Sequence, residues 1–256
     1  MERTDDIIKF LEYSSGENIV IEPQQRLNHV RERLFDVIKT YNPKVIVKAG
    51  LGNGSLLLDL ASSADTYLVV VDYSYENIRR FIEKNKQNSA LEKIRFIVGD
   101  FSAFPVDYYA ADMVASIDYF DFIETAAAID EFRRALQFEG ILFIAEEVLH
   151  EKDLDGVYDE LMAALFPLHN DYYLESDMKT FLGLNEFKFI KGDVTSFPVD
   201  LNAVTEHYAG FGSIDRDYVS NYINENNDAL KSLYELSGGS ISVPYFIGVF
   251  MREKIR

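Results

Sequence analysis

The residues with the most chemical content stand together in Val45-Ile46-Val47-Lys48-Ala49-Gly50-Leu51-Gly52-Asn53-Gly54-Ser55, an apolar run that leads into three alternating glycines. Glycines at this spacing let the main chain turn tightly and approach a ligand closely, and a helix beginning just after them offers free N–H groups. A nucleotide-type ligand suits such a turn, and a merely tight structural turn is the plainer alternative. About twenty residues further on, Asp72 closes the next apolar run. That is the separation at which a carboxylate reaches the hydroxyls of a ribose. Capping the helix before Tyr75 is the other reading of Asp72. Asp100 in Val98-Gly99-Asp100-Phe101 and Asp118 in Ser116-Ile117-Asp118-Tyr119 end two further runs. Each acid taken singly is an ordinary turn residue, but in an open parallel sheet the carboxyl ends of the strands form the ligand crevice, where four such ends converge.

The elements that must position these residues alternate. Val45 to Ala49, Tyr67 to Asp72, Ile94 to Gly99, Met113 to Ile117 and Ile141 to Ala145 read as buried strands, almost wholly apolar and bounded by turn residues. Between them Leu56 to Ala61, Asn77 to Asn88 and Phe122 to Leu136 carry apolar residues at helical spacing. Strand-helix alternation calls for parallel strands joined by right-handed crossovers, with helices on both faces. Two helices are expected between Thr4 and Thr40, the second stopped at Asn42-Pro43. Past His150 the rhythm loosens into helices over Val157 to Leu165 and Asp177 to Leu184, a strand over Phe187 to Ile190, a polar helical stretch reaching Leu236, and a last strand over Tyr245 to Met251. The expected layout is a helical cap over residues 1–41 and an α/β domain over 42–256, with a substrate-covering insertion at about 197–240.

Composition narrows the function. Hydrophobic residues are 48% of the 256, enough for a core, and no disorder signature is present. Lys and Arg number 25 against 43 Asp and Glu, a formal charge of −18. Such a chain repels a phosphate backbone and an anionic membrane, so neither nucleic acid nor membrane is an expected partner. No cysteine is present, which removes disulfides, thiolate nucleophiles and Cys-ligated zinc. The charged start, Met1 to Asp6, lacks the apolar segment of a secretory signal, and no apolar run reaches the roughly 18 residues of a membrane helix. Cytoplasm is the expected compartment; a small molecule, and at most a second copy of the chain, are the expected partners.

With these residues in place the sequence resembles the class I S-adenosylmethionine-dependent methyltransferases, over roughly Asn42 to Glu147 and more weakly beyond. The resemblance implies a Rossmann-like, doubly wound, seven-stranded, mostly parallel sheet whose last strand, Tyr245 to Met251, is antiparallel and hairpinned with Phe187 to Ile190. It implies S-adenosylmethionine as cofactor, with Gly50, Gly52 and Gly54 along its methionine half, Asp72 on its ribose, Tyr73 beside it, and Asp100 and Phe101 flanking its adenine. Ser116 and Asp118 would face the substrate side. Glu139-Gly140 would be the turn that introduces the fifth strand. One position departs from the family: Lys48 stands where an acid helps to hold the cofactor's ammonium. A like-charge contact at about 4 Å costs on the order of 4 kcal/mol at an effective dielectric near 20. Lys48 is therefore expected to turn toward an acid or the cofactor's carboxylate, with Asp118 or Glu147 supplying negative charge, or else to reach solvent.

Methyl transfer is an in-line displacement, so a protein contributes positioning and, where needed, a base for the acceptor's proton. Candidate bases are Glu147 and His150 past the fifth strand, His207 in the late insertion, and His29 on the second helix. No metal-ligand spacing is seen. Tyr208, Phe211, Tyr218, Tyr222 and Tyr234 in the late segment could stack on a hydroxylated aromatic or heteroaromatic acceptor such as a cofactor precursor, or simply pack a core. Two other functions stay open. A nicotinamide-dependent oxidoreductase shares the turn and Asp72, although Ser55 stands where its fingerprint wants a third Gly or Ala. A methyltransferase-shaped binding protein without catalysis is the other, motivated by Lys48.

Overall fold

The computed structural model describes residues 2–16, 23–52, 54–63, 65–212 and 214–254. Among the described residues, two helices precede the sheet. In α1 (Glu2–Gly16) Ile7 and Phe10 are buried. In α2 (Gln24–Tyr41) Val30, Leu34, Val37 and Ile38 form a helical stripe that is buried, and the helix stops at Asn42, which takes a left-handed φ of 48° before Pro43.

The sheet has seven strands: β1 (Val45–Ala49), β2 (Tyr67–Asp72), β3 (Ile94–Val98), β4 (Ala111–Ile117), β5 (Leu136–Glu147), β6 (Phe187–Asp200) and β7 (Ser240–Arg252), in the order β3-β2-β1-β4-β5-β7-β6. The first five run parallel, and β7 is antiparallel to both β5 and β6. The helices α3 (Ser55–Ser63), α4 (Tyr75–Asn85) and α5 (Thr125–Ala135) supply the crossovers. One face of the sheet packs Val47, Ala49, Val114 and Leu142 against Ile129 and Phe132 of α5 and Phe10 of α1; the other packs Ile46, Val70 and Met113 against Leu34 of α2 and Leu57 of α3. The strand order reverses between β1 and β4, so their carboxyl ends open a crevice at the switch point. This is the Rossmann-like fold expected from the alternation, with the antiparallel last strand in place.

Beyond β5 lie α6 (Val157–Leu165) and α7 (Glu175–Leu184), and between β6 and β7 lie α8 (Leu201–Phe211), α9 (Arg216–Glu225) and α10 (Asn227–Tyr234). Of these, α6, α8, α9 and α10 share a third core, with Tyr158, Leu161, Val204, Tyr222 and Tyr234 against Ile241 and Val243, whereas Met178 and Leu182 of α7 pack into the first. Several strands are longer than the sequence indicates, β7 among them, which starts at Ser240 rather than Tyr245. β5 begins at Leu136, because the Glu139-Gly140 turn lies inside the strand, with φ of 65° at Glu139 and a register shift against β4: a bulge carries the pairing on. β6 continues past Ile190 to Asp200 because its polar residues sit on an edge strand with exposed faces, where apolar alternation is not required. Among the described residues, no helix is long and apolar enough to cross a membrane.

Candidate functional site

The glycine turn leaves β1 with φ of 77° at Gly50, 59° at Gly52 and 76° at Gly54. Gly50 is constrained twice, by that left-handed backbone and by space: a Cβ there would stand 1.8 Å from Tyr119 Cζ. Asn53, inside the turn, lies outside the described residues. The Gly50 N–H donates to Val71 O at 2.7 Å. The next N–H, of Leu51, donates to Asp72 Oδ2 at 2.7 Å, and that of Ser74 to Asp72 Oδ1 at 2.8 Å. Asp72 thus ties the turn after β1 to the turn after β2, and it is only 1% exposed. Burial pushes its carboxyl above the ordinary range, against the pull of the two N–H donors and of Lys48. Lys48 is itself 3% exposed, which removes the solvent-facing alternative. Its ammonium donates to Gly50 O at 2.7 Å and to Ala49 O at 3.4 Å, so the cation braces the turn from inside.

Tyr119, the second residue after β4, lies across this turn. Its hydroxyl is 3.4 Å from Asp72 Oδ2, while Lys48 Nζ lies 6.0 Å from its ring. Burial, then Asp72, drives the phenol well above its usual range, so it stays protonated. Tyr73 and Phe101 meet with ring centroids 4.7 Å apart. The Tyr73 hydroxyl donates to Asp100 Oδ1 at 3.1 Å and accepts the Phe101 N–H at 3.3 Å. Asp100 also accepts from the Ser102 N–H at 2.8 Å and so caps a short 3-10 turn.

A charged cluster stands at the ends of β4 and β5. Glu147 accepts from Arg26 of α2 (Nη1 to Oε1, 2.5 Å) and from the hydroxyls of Tyr158 and Tyr172, each at 3.0 Å. Asp118, at a left-handed φ of 58°, accepts from the Tyr245 hydroxyl at 2.9 Å, and its Oδ2 is 3.9 Å from Arg26 Nη2. Arg26 therefore holds both acids that were expected to offset Lys48. Ser116 is fully buried and donates to Glu146 Oε1 at 3.4 Å. Deeper in, the buried His169 pairs with Asp121 and, at 2.9 Å, with Asp159.

The remaining histidines face elsewhere. His150 takes the Lys152 N–H on Nδ1 at 3.2 Å, and its ring lies 6.1 Å from that of Tyr234. His207 is buried under α1, with Nε2 3.4 Å from Ser14 Oγ. His29 pairs with Asp193 of β6 at 3.0 Å. The late tyrosines divide: Tyr222 and Tyr234 pack the third core, Tyr208 stacks on Phe166 at 4.6 Å, and Tyr218 is exposed. Sequence reasoning did not single out Arg26, Tyr119, Glu146 or His169. Glu146 had a signal, an acid closing an apolar run, and Tyr119 stands next to Asp118 at a strand end; Arg26 and His169 are joined to the site only by the fold.

The crevice fits an adenosine-bearing ligand in its main chain and not in its side chains. The turn and Asp72 are in register, but Tyr119 covers Gly50 and takes Asp72. Between Tyr73 and Phe101 at 4.7 Å no slot remains for a planar base, which stacks at comparable distance from each ring. Two pockets that do stand open lie away from the crevice, one at the opposite ends of the strands among Tyr41 to Lys44, Asp112 and Gln137 to Ile141, the other over Glu83 to Ser89.

Residues 46–140 match the methyltransferase domain family. No curated protein matches the sequence. Among solved structures the YcgJ protein of Bacillus subtilis has a TM-score of 0.78 at 15% identity, over 89% of this chain and 100% of that one. A putative methyltransferase of Bacillus halodurans gives 0.77 at 13%, over 88% and 99%. Geranyl diphosphate C-methyltransferase of Streptomyces coelicolor, solved with Mg2+, geranyl diphosphate and S-adenosyl-L-homocysteine, gives 0.57 at 13%, over 86% and 77%. At these identities the likeness is one of fold.

Proposed function

We propose that this chain, which has the class I methyltransferase fold and a methyltransferase-domain match over residues 46–140, is a cytoplasmic enzyme that uses S-adenosylmethionine to methylate a small molecule. The observation that carries the reading is the turn of Gly50 to Gly54 stitched to Asp72 at the switch point of the sheet, inside the matched segment. A fold neighbour solved with S-adenosyl-L-homocysteine supports the choice of cofactor. A hydroxylated aromatic or heteroaromatic acceptor remains the preferred substrate, supported by the tyrosines beside Glu147. Glu147, His150 and His207 are the candidates for taking a proton from that acceptor. Of the three, Glu147 alone stands in the charged cluster at the ends of β4 and β5.

A second reading, a methyltransferase-shaped binding protein without catalysis, is favoured by Lys48 under the turn and Tyr119 across it. Calorimetric titration with S-adenosylmethionine, S-adenosylhomocysteine and the nicotinamide nucleotides separates the readings. Micromolar binding of the two sulfur nucleosides is the expected result. Binding of the nicotinamide nucleotides alone would move the chain to the oxidoreductases, and binding of none would leave the non-catalytic reading.

A further inference from the structure

We propose that Tyr119 is a built-in occupant of the cofactor crevice, a phenol that takes Asp72 for itself and must swing aside before an adenosine ligand can enter. The proposal rests on the reading of this crevice as a cofactor site, and concerns its regulation.

Three observations carry it. The ring lies where only glycine leaves room, against Gly50. Its hydroxyl faces Asp72 Oδ2 at 3.4 Å, the donor-to-carboxylate contact that a ribose hydroxyl offers. Its main chain is fixed, because Glu146 accepts the Tyr119 N–H at 3.1 Å and the Phe120 N–H at 3.3 Å. Opening is then a rotation about side-chain bonds, with the loop in place. The ring leaves the company of Phe101 at 5.1 Å and Phe122 at 5.3 Å.

The exchange is balanced where charge is concerned. Asp72 keeps the N–H groups of Leu51 and Ser74 in both states, and a ligand hydroxyl replaces the phenol, so no buried carboxylate is stranded. What the ring imposes is a lower population of the open state, and apparent affinity falls by that fraction.

The test is calorimetric titration of S-adenosylhomocysteine into the wild-type chain, Tyr119→Ala and Tyr119→Phe, with thermal unfolding to check each fold. Tyr119→Ala is expected to bind at least tenfold more tightly than wild type, about 1.4 kcal/mol, and Tyr119→Phe to move the same way by a smaller factor. Equal or weaker binding by the variants, with the wild type binding, overturns the proposal and leaves the function standing. If none of the three binds, the function reading falls and takes this proposal with it. Should Tyr119→Ala not fold, Tyr119→Phe decides by the same criterion.

Discussion

Glu146 Oε2 accepts the main-chain N–H of Tyr119 at 3.1 Å, so the end of β5 sets the path of the chain that leaves β4. The same carboxyl takes the Phe120 N–H and the Ser116 hydroxyl, and it is 3% exposed. Burial, then the neighbouring Asp118, holds it well above the usual carboxylate range.

Replacing this acid separates its charge from its hydrogen bonds. Glu146→Gln keeps an acceptor for the two N–H groups and is expected to unfold in urea within about 1 kcal/mol of wild type. Glu146→Ala strands those donors and is expected to lose about 1–3 kcal/mol. Equal losses in the two variants would show that the bonds to Tyr119 and Phe120 do not fix this loop.

Lys48→Met keeps the volume and apolar stem but gives up the ammonium bond to Gly50 O. Stability is expected to fall by about 1–3 kcal/mol as a buried carbonyl loses its charged donor. Affinity for S-adenosylhomocysteine is expected to fall with it, since the turn loosens. Tighter binding by the variant would mean that the cation repels the ligand rather than bracing its seat.

His169 gives a pH signature. Burial alone would lower its pKa, but the hydrogen bonds and charges of Asp121 and Asp159 override that and raise it to about 9. A folded pKa above the unfolded value of about 6.5 makes the contribution full below that pH and lost as pH rises through about 9. Wild type is therefore expected to exceed His169→Gln in unfolding free energy near pH 6, by on the order of 3 kcal/mol, with the gap closing by pH 10. A gap that is constant across this range would refute a charged His169.

The parts of this molecule that repeat a period were legible in its sequence. β1 and β2 fall on the residues their apolar runs indicate, and the alternation gives the sheet its parallel strands. Asp72 was marked by its spacing from the glycines, and the structure adds that its carboxylate grips the turn itself. What could not be read were pairings across long separations. Arg26 meets Glu147 across 121 positions, and His169 meets Asp121 across 48, with no periodicity linking either pair. The length of β6 was hidden for a related reason: an edge strand with solvent on its sides carries no apolar alternation.

That outer strand has its own hazard. Thirteen of the fourteen residues of β6 pair with β7, and among the described residues no strand pairs with its other side; an open row of amides and carbonyls invites foreign strands to add on. Lys188 and Lys191 are exposed along it, the register slips between Phe189 and Lys191, and Pro198 withholds an N–H. Charge, a kink and a missing donor each discourage accretion, so the sheet stops growing at β6 without any covering helix being needed there.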